Sequence, residues 1–234
     1  MSDWKQKRFW TDVTVSKIDE GYTILLDGRR IKTPAKTAFY VPSERLAEEI
    51  AKEWDAQTDV VNPNTMPFTR AANSAIDKVT PQHSEVADML ADYGGTDLLC
   101  YRADSPEELI QRQAEAWDPL LAWSAEALEA PLIQISGVMF ASQPKASLES
   151  LKRRVHELDS FMLAGFHDLV AISGSLVIGF AALNGHMGIE NLWEVSRLDE
   201  SWQAEQWGED EEATQQALLK REAFIQAAKY CALL

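Results

Sequence analysis

The chain has 234 residues, with 22 Lys and Arg against 37 Asp and Glu, a formal charge of −15, four histidines and two cysteines. At 46% hydrophobic and 25% charged it has the composition of a globular protein, which excludes general disorder, collagen-like repeats and low-complexity scaffolds. The acidic balance excludes nonspecific nucleic-acid binding, which needs a basic surface, and Cys100 and Cys231 are too few for a disulfide framework or a cysteine-rich zinc site.

The N-terminal segment, which includes Trp4, has no apolar targeting core and leads into a β-rich region over residues 10–41. Val13, Val15 and Ile18 alternate on one strand and Tyr22, Ile24 and Leu26 on the next, with Gly21 marking the turn. Asp27-Gly28 is a hairpin signal into Arg30-Ile31-Lys32, and Phe39-Tyr40-Val41 reads as a fourth short strand. Pro42-Ser43 opens a helix with Leu46, Ile50 and Trp54 on one face. After the break at Asn62-Pro63-Asn64, a second helix is predicted from near Thr65, carrying Phe68, Ala72, Ile76 and Val79, and Pro81 ends it.

From Gln82 onward the pattern is helical. A helix closes at Gly94-Gly95, and the apolar connector Asp97–Arg102 follows. Ser105-Pro106-Glu107-Glu108 predicts a capping box, and Asp118-Pro119 predicts a bend or restart. Residues 131–143 read as an irregular or strand-like linker, followed by helices over 145–157, 160–171 and 175–183. Two long helices, 189–207 and 209–233, close the chain. Residues 161–183 are apolar but are interrupted by His167-Asp168, so they read as core rather than a membrane span. The fold class is α+β, with a β-rich domain over 1–80 and a helical bundle over 81–234. The charge divides at the same place: residues 1–80 hold 12 basic and 12 acidic groups, and the whole excess of acid lies in 81–234.

Catalytic signatures are missing. There is no G-x-G-x-x-G, P-loop, H-E-x-x-H or G-x-S-x-G pattern, and His83-Ser84-Glu85 lacks the cysteines a zinc deaminase needs. The one nucleophile–base pairing available is Cys100 with His167 beside Asp168, but Leu98-Leu99-Cys100-Tyr101 marks Cys100 as a small buried hydrophobe. Neither an enzyme, a metal site nor a cofactor is expected. Two features point instead to protein binding. Seven carboxylates between Asp199 and Glu212 occur without any Lys or Arg, and only Glu209–Glu212 fall where a helix N-terminus favours them. Trp202 and Trp207 lie within that run, so that Asp199, Glu200, Trp202, Glu205 and Trp207 form a candidate partner-binding set. Trp54, with Asp55 and Arg70, is expected to be structural.

Six segments in order carry a family resemblance: Leu26–Pro34, Glu53–Gln57, Thr65–Thr69 with Asn73 and Asp77, Asp97–Arg102, Trp117–Pro119, and Ser196–Glu200 through Gln206–Gly208. Together they resemble the Atp12 family, assembly chaperones of the F1 part of ATP synthase. The resemblance implies an N-terminal α/β domain, a C-terminal orthogonal helical bundle, and a non-enzymatic chaperone that holds the free F1-ATPase α subunit before it meets β. It implies a functional acidic residue in the helix matching 196–208, at Asp199 or Glu200, and a Trp54 sensitive to substitution. Eukaryotic members carry a mitochondrial presequence. Its lack here fits a bacterial, cytoplasmic member or a mature chain already freed of its presequence; the protein is expected to be a monomer with no nucleic-acid partner and no membrane insertion. A generic acidic module for another basic partner and a small thiol enzyme using Cys100 are the alternatives.

Overall fold

The structure, a computed structural model, describes residues 7–137 and 141–234; Trp4 and part of the 131–143 connector lie outside the described residues. The fold is α+β. Two compact units are present: Met1–His83 with Asp159–Gly165 and Lys229–Leu234, and Ser84–Leu158 with Phe166–Ala228.

In the first unit, β1 (Val13–Ile18) and β2 (Gly21–Leu26) pair antiparallel, and β2 turns at Asp27-Gly28 into β3 (Arg29–Arg30). Gly21 is required there: its φ is +138°, and a Cβ would fall 2.4 Å from the Val41 carbonyl oxygen. Phe39–Val41 is not a strand. It is tied to the sheet by a single bridge, Tyr22 to Val41, because the chain has already turned toward the helix cap at Ser43. The predicted helix is α1 (Glu44–Asp55), with Leu46, Ile50 and Trp54 buried. α2 (Pro67–Ser74) follows a short 3-10 turn over Pro63–Thr65.

These elements are fastened by buried polar side chains. Glu53 on α1 accepts from the backbone N–H of Phe68 (2.7 Å) and Thr69 (2.8 Å) and from the Thr69 hydroxyl (2.6 Å), which caps α2 from another element. Burial pushes the Glu53 carboxyl above its ordinary range, against the pull of those hydrogen bonds. Gln57 donates to the Glu53 carbonyl and to Thr65 and accepts from the Asn62 N–H. Asp77 accepts from the Thr33 hydroxyl and the Ala35 N–H. Pro81 does not break the chain. The helix widens to a π turn over Ala75–Val79 and tightens to 3-10 over Thr80–Gln82, which accommodates a residue that has no N–H to donate. α3 (His83–Ala91) continues directly from it.

The second unit is helical apart from a two-residue parallel pair, β4 (Tyr101–Arg102) with β5 (Ile135–Ser136). Its longest helix within the first half is α4 (Glu107–Ala127), and two expectations about it are corrected. The capping box does not form: Pro106 itself holds the N-cap position, and the Ser105 hydroxyl turns to Asp104 instead. Nor does α4 restart at Pro119. Pro119 and Glu115 both lie on the exposed side of the helix, so the hydrogen bond that proline cannot donate is missing there, while Trp117, Leu120 and Leu121 stay buried on the other face.

α5 (Lys145–His156) and α6 (Ser160–Ser173) lead to α7 (Leu176–Leu183), where Leu176–Ala181 are all buried, as expected of a helix apolar all round. Asp97 is fully buried and caps α7, with its two oxygens accepting from the N–H groups of Leu99 and Val177, both at 3.1 Å. Burial raises its pKa, although Ser175 and those N–H groups oppose the shift. Arg102 lies over the Trp117 ring, donates to the Leu99 carbonyl and bonds Asp118 at 2.8 Å. Cys100 is buried beside Asp97, and desolvation first, then that carboxylate, pushes its thiol up to about 12. A thiol so raised is disfavoured as a thiolate, the form that acts as a nucleophile. His167 pairs with its neighbour Asp168.

Candidate protein-docking surface

The sequence pattern predicts one long helix over 189–207, and the structure divides it. α8 (Ile189–Ser196) stops where the Ser196 hydroxyl bonds back to the Trp193 carbonyl at 2.7 Å. Arg197 (φ −113°, ψ 14°) ends α8 and starts α9 (Leu198–Trp207). Asp199 and Glu200 therefore lie in the first turn of α9, not in mid-helix. Their charge is favoured by the helix dipole, which gives this part of the acid run the same local reason as Glu209–Glu212. Gly208, at φ +90°, ends α9. Asp210 then caps α10 (Glu211–Ala232) by accepting from the Ala213 N–H at 2.8 Å.

The five candidate residues occupy different settings. Asp199 accepts from Gln113 Nε2 at 2.7 Å, and Gln113, 1% exposed on α4, also accepts from the Ala103 N–H. Glu200 is exposed and pairs with Arg197 at 2.5 Å. Trp202, expected to grip a partner, is 6% exposed, and the Arg112 guanidinium lies over its ring at 4.7 Å. It presents no free face and is a core side chain of α9. Arg112 also bonds Glu205 at 2.6 Å, and that bond holds the guanidinium above its ordinary pKa. Of the two tryptophans only Trp207 is open, at 79% exposure.

The acid run thus lacks basic residues in sequence but gains Arg112 and Gln113 from α4. Neither was found by reading the sequence, because a single polar residue in a mixed helix gives no signal of what lies opposite it. The side chains of Glu209, Glu211 and Glu212 make no hydrogen bond or ion pair among the described residues. Trp54, Asp55 and Arg70 belong to the first unit. Trp54 is 9% exposed, edge-on to Trp10 at 5.3 Å. Asp55 is largely exposed and meets Arg8, and Arg70 is exposed and acts on Glu53 through charge. Among the described residues no group of His, Cys, Asp and Glu could hold a metal ion, and no helix is long and apolar enough to cross a membrane.

Comparison with known proteins bears on all of these segments. Residues 7–125 match the family described as ATP12 chaperone protein. The chain is 29% identical over 220 residues to the mitochondrial protein atp12 of Schizosaccharomyces pombe, covering 88% of this chain and 75% of that one. The crystal structure of Atp12 from Paracoccus denitrificans and that of an aspartate-to-lysine variant of it each superpose with a TM-score of 0.96 at 47% identity, over 99% of both chains. A candidate chaperone from Agrobacterium tumefaciens superposes at 0.92 with 39% identity, over 97% of this chain and 85% of that one. This chain belongs to the ATP12 family of ATP synthase assembly chaperones.

Proposed function

We propose that the chain binds the unassembled F1-ATPase α subunit and covers its β-facing surface until F1 forms, as a monomer in the bacterial cytoplasm, without a cofactor or ATP hydrolysis. An unpaired subunit exposes a large apolar surface with a polar rim, and such surfaces aggregate. Covering it needs area and complementary charge, not chemistry. The arriving β subunit displaces the chaperone by burying more of the same surface.

The observation that carries this reading is Trp207, an indole 79% exposed at the end of α9, followed in the chain by Glu209, Glu211 and Glu212, whose carboxylates have no partner among the described residues. Exposed Trp is the residue type most enriched at binding hot spots. Glu200 and Trp207 make direct contact in this reading, with the carboxylate steering and orienting a basic group more than adding affinity. Asp199, Trp202 and Glu205, held by Gln113 and Arg112, keep α9 in place for them. Family membership, and near-complete superposition on two bacterial relatives, support the chaperone role and the bacterial setting.

The test is light scattering of purified F1 α subunit from the same source, warmed alone or with an equimolar amount of this chain. Scattering is expected to fall to near baseline, equally with and without ATP. An α subunit that aggregates at its own rate in the presence of the chain contradicts the proposal.

A further inference from the structure

α10 is anchored from Arg221 onward. Arg221 bonds Glu190 of α8, and Phe224 is buried with its ring 6.0 Å from Trp193. Before that point it touches little: of residues 211–220 only Ala217 is even half-buried. These turns need no tertiary support to be helical. Asp210 caps them, Glu211 and Glu212 meet the positive end of the dipole, and Ala, Gln, Leu and Lys are good helix formers.

Two adjacent leucines sit on this free stretch, Leu218 and Leu219, each 56% exposed. Nine residues separate Leu218 from Ala227, which is two and a half turns, so Leu218 points away from the face that is buried downstream. Single exposed apolar residues are ordinary, but Trp207, Leu218 and Leu219 stand on one continuous exposed segment. Seven residues are nearly two full turns, so Glu211 lies in line with Leu218 and Glu212 in line with Leu219.

We propose that Leu218 and Leu219 form a docking face for an apolar surface rimmed by Lys or Arg on the unassembled F1 subunit, a reading that rests on the function proposed above. The charge decides the occupant. A second copy of this chain would set the same acidic run against itself, whereas a partner with basic groups beside its apolar patch meets both the leucines and the glutamates two turns away. The anchor at Arg221 and Phe224 fixes the direction of the free turns, so little ordering is required on binding.

The experiment compares the wild type with the L218Q/L219Q variant, which keeps helix propensity and removes the apolar face. The measurements are the Kd for purified F1 α subunit, the melting temperature, and the sedimentation coefficient of the chaperone alone. The expected result is binding weakened by about tenfold or more, with melting and sedimentation unchanged. Unchanged affinity in the variant, with the wild type binding α, overturns this inference and leaves the proposed function standing. A wild type that does not bind α overturns both. Early melting of the variant overturns it by making the leucines structural. A wild-type dimer that the variant disperses overturns it by making a second copy the occupant.

Discussion

The carboxylates of this chain fall into two groups that composition does not separate. Glu53 and Asp97 are buried, and each satisfies backbone N–H groups at the start of a helix contributed by a distant part of the chain. Asp199 and Glu200 of α9 and Glu211 and Glu212 of α10 stand at helix starts too, but toward the surface, and the side chains of the last two have no partner among the described residues. One chemical group thus does two jobs. Inside, it replaces water for stranded donors and fixes how elements join, and its loss is a loss of stability. Outside, it contributes little to stability and is available to another molecule. The segments that carry the family resemblance are mostly of the first kind, so they carry the fold, while the candidate docking surface has the weaker signature.

Substitutions can break this contrast, and the largest effect belongs to the interior. Trp54→Arg places an unpaired charge against Trp10 and the α1 core, and a loss of about 3–5 kcal/mol is expected, enough to prevent folding in many backgrounds. Thermal melts and soluble yield check it; a variant of normal stability that fails only in partner binding would move Trp54 to the functional group.

Glu53→Gln comes next. Its amide sets a donor against the Thr69 donors, leaving a buried group unsatisfied at about 1–3 kcal/mol. This site also has a pH signature. The folded pKa of Glu53 is raised, so the folded state binds the extra proton between the unfolded and folded values. The contribution of this group to stability therefore declines as pH rises through that window and is flat above it. Denaturant titrations from pH 4 upward should show this slope in the wild type and lose it in Glu53→Gln.

On the surface, the two first-turn acids of α9 separate. Asp199→Lys loses the Gln113 bond and reverses a favourable dipole interaction, a loss of about 1–2 kcal/mol. Glu200→Lys loses an exposed pair and the dipole term, about 0.5–1 kcal/mol, yet it is the one expected to weaken capture of α. Melts run beside α pull-downs decide this; equal capture by Glu200→Lys and wild type would remove that carboxylate from the contact surface.

Local rules carried much of the fold. The alternation in β1 and β2, the Asp27-Gly28 turn and the Leu46–Ile50–Trp54 face of α1 each depend on neighbours within a few residues. Misreadings came where distant groups overruled a local signal. Pro119 remains inside α4 because its solvent-facing position spares the buried side, and Asp118, a candidate cap, is taken by Arg102 and Gln134. The Arg197 break is invisible in apolar spacing, since α8 and α9 both continue a helical pattern. Trp202 and Trp207 look alike in the acid run; only Arg112, roughly ninety residues upstream, decides that one is covered. Leu218 was legible in principle, because it falls off the stripe that buries Ala227 and Tyr230.

Hydrogen–deuterium exchange of the chain with and without F1 α subunit tests the central claim most directly. The account predicts that α slows exchange across 198–220, where α9 and the free turns of α10 lie, and leaves 44–80 unchanged, since the buried Glu53 junction is already closed. Protection centred on 44–80, with 198–220 exchanging at its free rate, would contradict it.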